Sequence, residues 1–300
     1  MVDYNPKNWL TLIFTLHKSS LMRYLLPNLI GLGIYTAILA YVFSEHLELI
    51  IPGGVSIHGY VGIVLGLVLV FRTNTAYDRW WEGRKLLGAL TNHSRNMAIK
   101  VNAILANDDL ENRKFFLKTI PNFYLAVKEH LRNGVDSDEL DLEGMPYLKA
   151  IKAAKHVPNM LTNEIQTRFN VLLRSGMITG DQFRVLNREA EGMVDVLGGC
   201  ERIRTTPIPY SYSVYIKKVI FLYLLTLPFS LINVLGYWTI GMVMFECYVL
   251  AGLELMGEEI EDPFGYDFND LDTDGMAKNI RKNVREIISM SDEMVVKAAS

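Results

Sequence analysis

The chain has 300 residues, half of them apolar, with 30 Lys and Arg against 33 Asp and Glu and a formal net charge of −3. No basic block breaks that balance, which excludes nucleic acid as a partner. Two cysteines imply neither a disulfide nor a zinc site, and a charged fraction of 21% is more than a chain embedded wholly in hydrocarbon would carry.

In chain order, MVDYNPKNW lacks the basic stretch, apolar stretch and small-residue cleavage site of a secretory signal. A cationic arm follows, and between Arg23 and Arg72 there is no Lys or Arg. That window reads LLPNLIGLGIYTAILAYVF, SEHLELIIPGGVSIH and GYVGIVLGLVLVF. Cations are costly in hydrocarbon, and a spanning helix needs about 20 mostly apolar residues. The window therefore predicts two passes joined by a turn, which carries Glu45, Glu48, His46 and His58 and no cation.

The second pass meets no breaker from Ile57 past Phe71. Its apolar pattern continues through Trp80, Leu87, Leu90, Met97, Val101 and Ile104, predicting a helix that leaves the membrane intact. Gly62 and Gly66 form a small-residue ridge suited to close helix approach. Ile63, Leu67 and Phe71 recur every fourth residue as an apolar stripe. Such a stripe suits lipid or core packing, or equally the wall of a narrow pore that gates by dewetting. Spacing does not separate the two.

Further helices are predicted from Arg113 to Leu131, Glu164 to Leu173 and Gly180 to Leu197, with turns at Asn107-Asp108-Asp109, Asn133-Gly134 and Gly198-Gly199. Asp181 follows Thr179 at a helix start, where a carboxylate favours the positive end. His17, His46, His58, His93, His130 and His156 are scattered, and neither a nucleophile–base pair nor a phosphate loop stands out. Thr205-Thr206-Pro207-Ile208-Pro209 then breaks the helix before a second cation-free window, from Lys218 to Lys278. This window predicts a second hairpin, with an uncharged turn around Gly236 to Trp238.

Glu258, Glu259, Glu261 and Asp262 cluster where the last pass leaves the membrane, and Asp267, Asn269, Asp270, Asp272 and Asp274 follow. They suit a solvated helix end or a hard-cation site, though without EF-hand spacing. Every cation lies in the N-terminal arm, the middle segment or the tail, which places both termini and the middle in the cytoplasm. The expected division is 1–72, arm and first hairpin; 73–213, cytosolic helical region; 214–262, second hairpin; 263–300, cytosolic tail.

Four segments in order resemble the bestrophin family of channels, and its short bacterial members most. They are FRTNTAYDRWWEGR, LGGCERIRTTPIP, the third pass and GEEIEDPFGYDFNDL. The resemblance implies an all-α membrane protein with four transmembrane helices as two hairpins plus a helical cytosolic region, homopentameric around a central pore in the inner (plasma) membrane. The family's apolar neck falls on Ile63, Leu67 and Phe71. A second, cytosolic constriction falls on Asp181 or its neighbour Gln182, where many relatives carry an aliphatic residue and an acidic ring would favour cations. The Ca²⁺ clasp of animal members falls on the carboxylates of Asp267 and Asp270 and on backbone near Glu259 and Asp262. Tyr266 and Phe268 interrupt its acidic run. The implied function is a channel for small monovalent ions, chloride and other anions first, with a monovalent-cation channel as the alternative. No catalytic residue or required cofactor is expected, and Ca²⁺ is the one candidate cofactor. Expected partners are inorganic ions, membrane lipid and further copies of the chain. The competing readings are a membrane scaffold and a metal-dependent hydrolase using Asp267 and Asp270.

Overall fold

The computed structural model describes residues 20–45, 54–132, 134–135, 139–145 and 148–298. The N-terminal arm with His17, and the first-hairpin turn at His46 and Glu48, lie outside them. Among the described residues the chain is helical and contains no strand. The helices are α1 (Ser20–Glu45), α2 (Gly54–Ile104), α3 (Leu110–His130), α4 (Leu148–Ala153), α5 (Val157–Arg174), α6 (Gly180–Thr205), α7 (Tyr210–Leu235), α8 (Thr239–Glu261) and α9 (Thr273–Ala298). They divide between two compact units.

The first unit holds α1, α2 as far as Trp80, α7 and α8. Three apolar stretches, Leu21–Phe43, Gly54–Ile104 and Tyr210–Glu261, are long enough to cross a membrane. The last of these contains both α7 and α8, which pack on one another. Between them Gly236 takes φ 53°, a left-handed conformation open to glycine, and leads a single 3-10 turn, Gly236–Trp238. A shared core draws Leu25 and Leu29 from α1, Leu65 and Leu69 from α2, Tyr223 and Leu224 from α7, and Val243 and Cys247 from α8. The outward faces stay apolar, with Ile34, Ile38, Phe221, Leu222 and Phe245 all exposed. Hydrocarbon, unlike water, solvates such faces.

The predicted unbroken second helix is present: α2 runs for 51 residues. The glycine ridge is half realised. A Cβ on Gly62 would sit 3.0 Å from the Tyr223 hydroxyl oxygen, whereas nothing lies within 4 Å of one on Gly66.

The second unit is built from α2 from Trp81 onward, with α3, α4, α5, α6 and α9. Phe116 of α3 stacks on Phe169 of α5 with ring centroids 5.5 Å apart, and Ile280 and Val284 of α9 are fully buried. Side-chain caps set several helix starts. Asp109 accepts from the Asn112 N–H at the head of α3, and Thr179 and Gln182 form a reciprocal capping box at the head of α6.

One expected turn is absent. The α6 helix continues through Gly198-Gly199 to Thr205. A Cβ on Gly199 would lie 2.9 Å from a Leu86 methyl, so this glycine admits a neighbouring helix instead of ending its own.

Candidate functional site: an exposed apolar stripe and its supports

On α2, Leu65, Leu69, Arg72 and Ala76 recur at spacings of three and four and are buried. That face packs inside the first unit. The opposite side carries the stripe: Ile63, Leu67 and Phe71 are 73%, 56% and 59% exposed. The stripe residues thus share one outward face, which the remaining described residues leave uncovered. Lipid-directed Leu or Ile would satisfy the same burial pattern, so the stripe's meaning depends on what stands opposite it.

Directly after the stripe, Arg72 turns inward. It is 2% exposed, yet its guanidinium lies 3.5 Å from both Glu254 and Glu261 and donates to the Ser213 hydroxyl at 3.0 Å. Two turns further along, Arg79 Nε donates to the Glu261 carbonyl at 3.1 Å. These contacts fasten the exit end of the apolar part of α2 to α8. Sequence reasoning missed this network. Its one signal is that Arg72, the first cation after the long apolar window, stands on the packed face.

At the head of α6, the Gln182 side chain accepts from the Thr179 N–H at 2.8 Å, and the Gln182 N–H donates to the Thr179 hydroxyl at 3.2 Å. That exchange holds Gln182 against the backbone. The Asp181 side chain is 92% exposed, with the Arg184 guanidinium 3.3 Å away.

After α8, Asp267 and Asp270 come together. The Asp267 N–H donates to Asp270 Oδ2 at 2.7 Å, and the Asp270 N–H donates to the Asp267 carbonyl at 3.1 Å. The other carboxylate oxygen of Asp270, Oδ1, is buried without a hydrogen-bond partner. Burial pushes the Asp270 carboxyl up to about 7, and the charges of Asp267, Asp262 and Glu259 push the same way against the Asp267 N–H bond. Trp80 Nε1 donates to the Asn269 carbonyl at 2.9 Å and holds this loop to α2. Glu259 and Asp267 also line a cavity of about 360 Å³ together with Leu21 and Tyr24 of α1.

The bacterial/fungal bestrophin family model matches residues 1–286. The chain belongs to that family. A voltage-dependent anion channel-forming protein of Nostoc sp. is 34% identical over 292 residues, covering 95% of this chain and 93% of the relative. One of the same name from Escherichia coli K12 is 28% identical over 303 residues, covering 99% and 96%. Among solved structures, a bestrophin homologue from Klebsiella pneumoniae superposes with a TM-score of 0.80 at 26% identity, covering 88% of this chain and 97% of that one. Bestrophin membership makes this a membrane protein and an ion channel, not an enzyme, and the hydrolase reading is set aside.

Proposed function

We propose that the chain forms an anion channel of the inner membrane that conducts chloride, built as a homopentamer with four passes per subunit and both termini cytoplasmic. The exposed stripe carries this reading. Ile63, Leu67 and Phe71 form one uncovered apolar face, backed by a buried one, in a chain whose relatives are named for anion channel formation. Five copies of that face around an axis make a narrow apolar neck, which holds water poorly and gates by wetting and drying. Purified protein in chloride-loaded vesicles should release chloride at a rate proportional to protein content. Vesicles as tight as protein-free controls would refute the proposal.

Asp181, not Gln182, is the side chain available to a cytosolic aperture, because the capping box occupies Gln182. Five carboxylates would favour cations, but each stands beside an Arg184 that offsets its charge. Asp181→Asn should therefore shift the permeability ratio further toward chloride. Unchanged ratios would leave Asp181 only its favourable place in the first turn of α6, a contribution of roughly 0.3–1 kcal/mol.

The segment after α8 suits a hard cation such as Ca²⁺ in one specific respect. Asp270 Oδ1 is a buried acceptor without a donor, among carboxylates that repel it. Asp267 and Asp270 would supply carboxylate ligands, with backbone near Glu259 and Asp262, and the ion would supply charge that lets Asp270 stay ionised. The pH dependence follows. The folded-state pKa of Asp270 is raised above its ordinary 3.8 to about 7. The folded chain therefore binds the proton more tightly than the unfolded chain, and stability falls as pH rises between those values. Without divalent cations, that loss by pH 8 should approach roughly 4 kcal/mol. Asp270→Asn should remove the dependence, and millimolar Ca²⁺ should flatten it in the wild type alone. Melting curves with the same pH slope in wild type and variant would reject the Asp270 assignment. Melting of the wild type at pH 8 that calcium leaves unchanged would reject the clasp.

A further inference from the structure

Within the second unit, three side chains from separate helices converge where the channel reading assigns nothing. His130 ends α3, His156 caps α5 and Glu201 lies in α6. Both imidazole Nε2 atoms stand 2.8 Å from the same oxygen, Glu201 Oε1. The two rings are 4.3 Å apart between centroids, and one ligand atom from each residue lies within 4.8 Å of the others. We propose that His130, His156 and Glu201 form a binding site for Zn²⁺ or a divalent transition metal of similar preference.

The donor set selects the metal class. Two imidazole nitrogens and one carboxylate suit zinc and its neighbours, whereas Ca²⁺ and Mg²⁺ take oxygen ligands. Tetrahedral zinc at about 2.0–2.1 Å from each ligand needs ligand atoms about 3.3 Å apart. Each imidazole nitrogen, now 2.8 Å from the Glu201 oxygen, must separate from it by only about half an ångström, and the two nitrogens already lie within 4.8 Å of one another. All three side chains are partly exposed, so an ion can reach them and a water can complete the fourth position. Arg204, whose charge acts on His130, already donates its guanidinium N–H groups to the His130 and Arg132 carbonyls.

Binding has a local consequence. The Asn159 N–H donates to His156 Nδ1 at 3.2 Å, so in the metal-free neutral ring the proton sits on Nε2 and points at Glu201. A metal on Nε2 displaces that proton to Nδ1, and the α5 cap bond from Asn159 is given up. The proton count of the ring is unchanged, and one capping hydrogen bond is exchanged for a metal bond.

The test uses the full-length assembled protein in detergent, titrated calorimetrically with ZnCl₂ in millimolar Ca²⁺, which fills any oxygen site first. Wild type should take up one Zn²⁺ per chain in the micromolar range, with faster amide exchange at Asn159. His156→Asn keeps an N-cap acceptor but removes the Nε2 ligand. It should melt like wild type without metal and lose the one-per-chain step. Glu201→Gln keeps an oxygen for the ring N–H groups and should lose the step as well. No stoichiometric uptake by wild type would overturn the proposal, as would equal uptake by wild type and either variant. In that event the three groups are a hydrogen-bonded brace between helices.

Discussion

Replacing Ile63, Leu67 and Phe71 together with alanine should raise single-channel conductance and the conducting fraction several-fold. Each substitution shortens a side chain on the exposed face, which in the proposed pentamer widens the neck and removes apolar surface that expels water. Because none of the three packs in the core, the fold should tolerate the change within about 0.5 kcal/mol per site. Planar-bilayer recordings beside a melting curve and an oligomer mass would check both halves. Normal assembly with wild-type current would show that the stripe faces lipid or a neighbouring subunit and not water.

The largest stability effect is expected at Arg72. Its guanidinium serves Glu254, Glu261 and Ser213 in a buried setting, and the next cation, Lys217 Nζ, is 3.8 Å from Glu254. Arg72→Met removes the central charge and leaves Glu254 buried beside Glu261. Stranding a buried charge in this way costs about 3–5 kcal/mol. Arg72→Met/Glu254→Leu, which removes both members of one pair, should recover part of that loss. The single variant should also perturb gating, since Arg72 anchors α2 one residue beyond Phe71. Thermal melting reads the first effect and bilayer recording the second. A melting temperature for Arg72→Met equal to wild type would show that the network is not needed for folding.

Some of this was legible from residue types alone. The two cation-free windows and the long α2 were readable because the penalty for cations in hydrocarbon acts residue by residue, and a helix without a breaker continues. Gly198-Gly199 was misread because composition does not distinguish a glycine that turns the chain from one that admits Leu86. The tie on the Gln182 side chain was legible too. Thr179-Gly180-Asp181-Gln182 has capping-box spacing, which ties down Gln182. The Arg72 network and the His130–His156–Glu201 group were not legible. Their members are 141 residues apart between Arg72 and Ser213, and 71 and 45 residues apart to Glu201. Only the packing of helices brings them together. Likewise, a stripe on one helix does not reveal whether lipid or water lies opposite it; burial on the reverse face shows only that the stripe points away from the core.

Anion conduction through a neck lined by Ile63, Leu67 and Phe71 has a direct electrical signature. The measurement that bears on it most directly is the reversal potential of the purified protein in a planar bilayer under asymmetric KCl. For an anion-conducting neck the current should reverse near the chloride equilibrium potential and grow when Ile63, Leu67 and Phe71 are shortened to alanine. Reversal near the potassium equilibrium potential would contradict it.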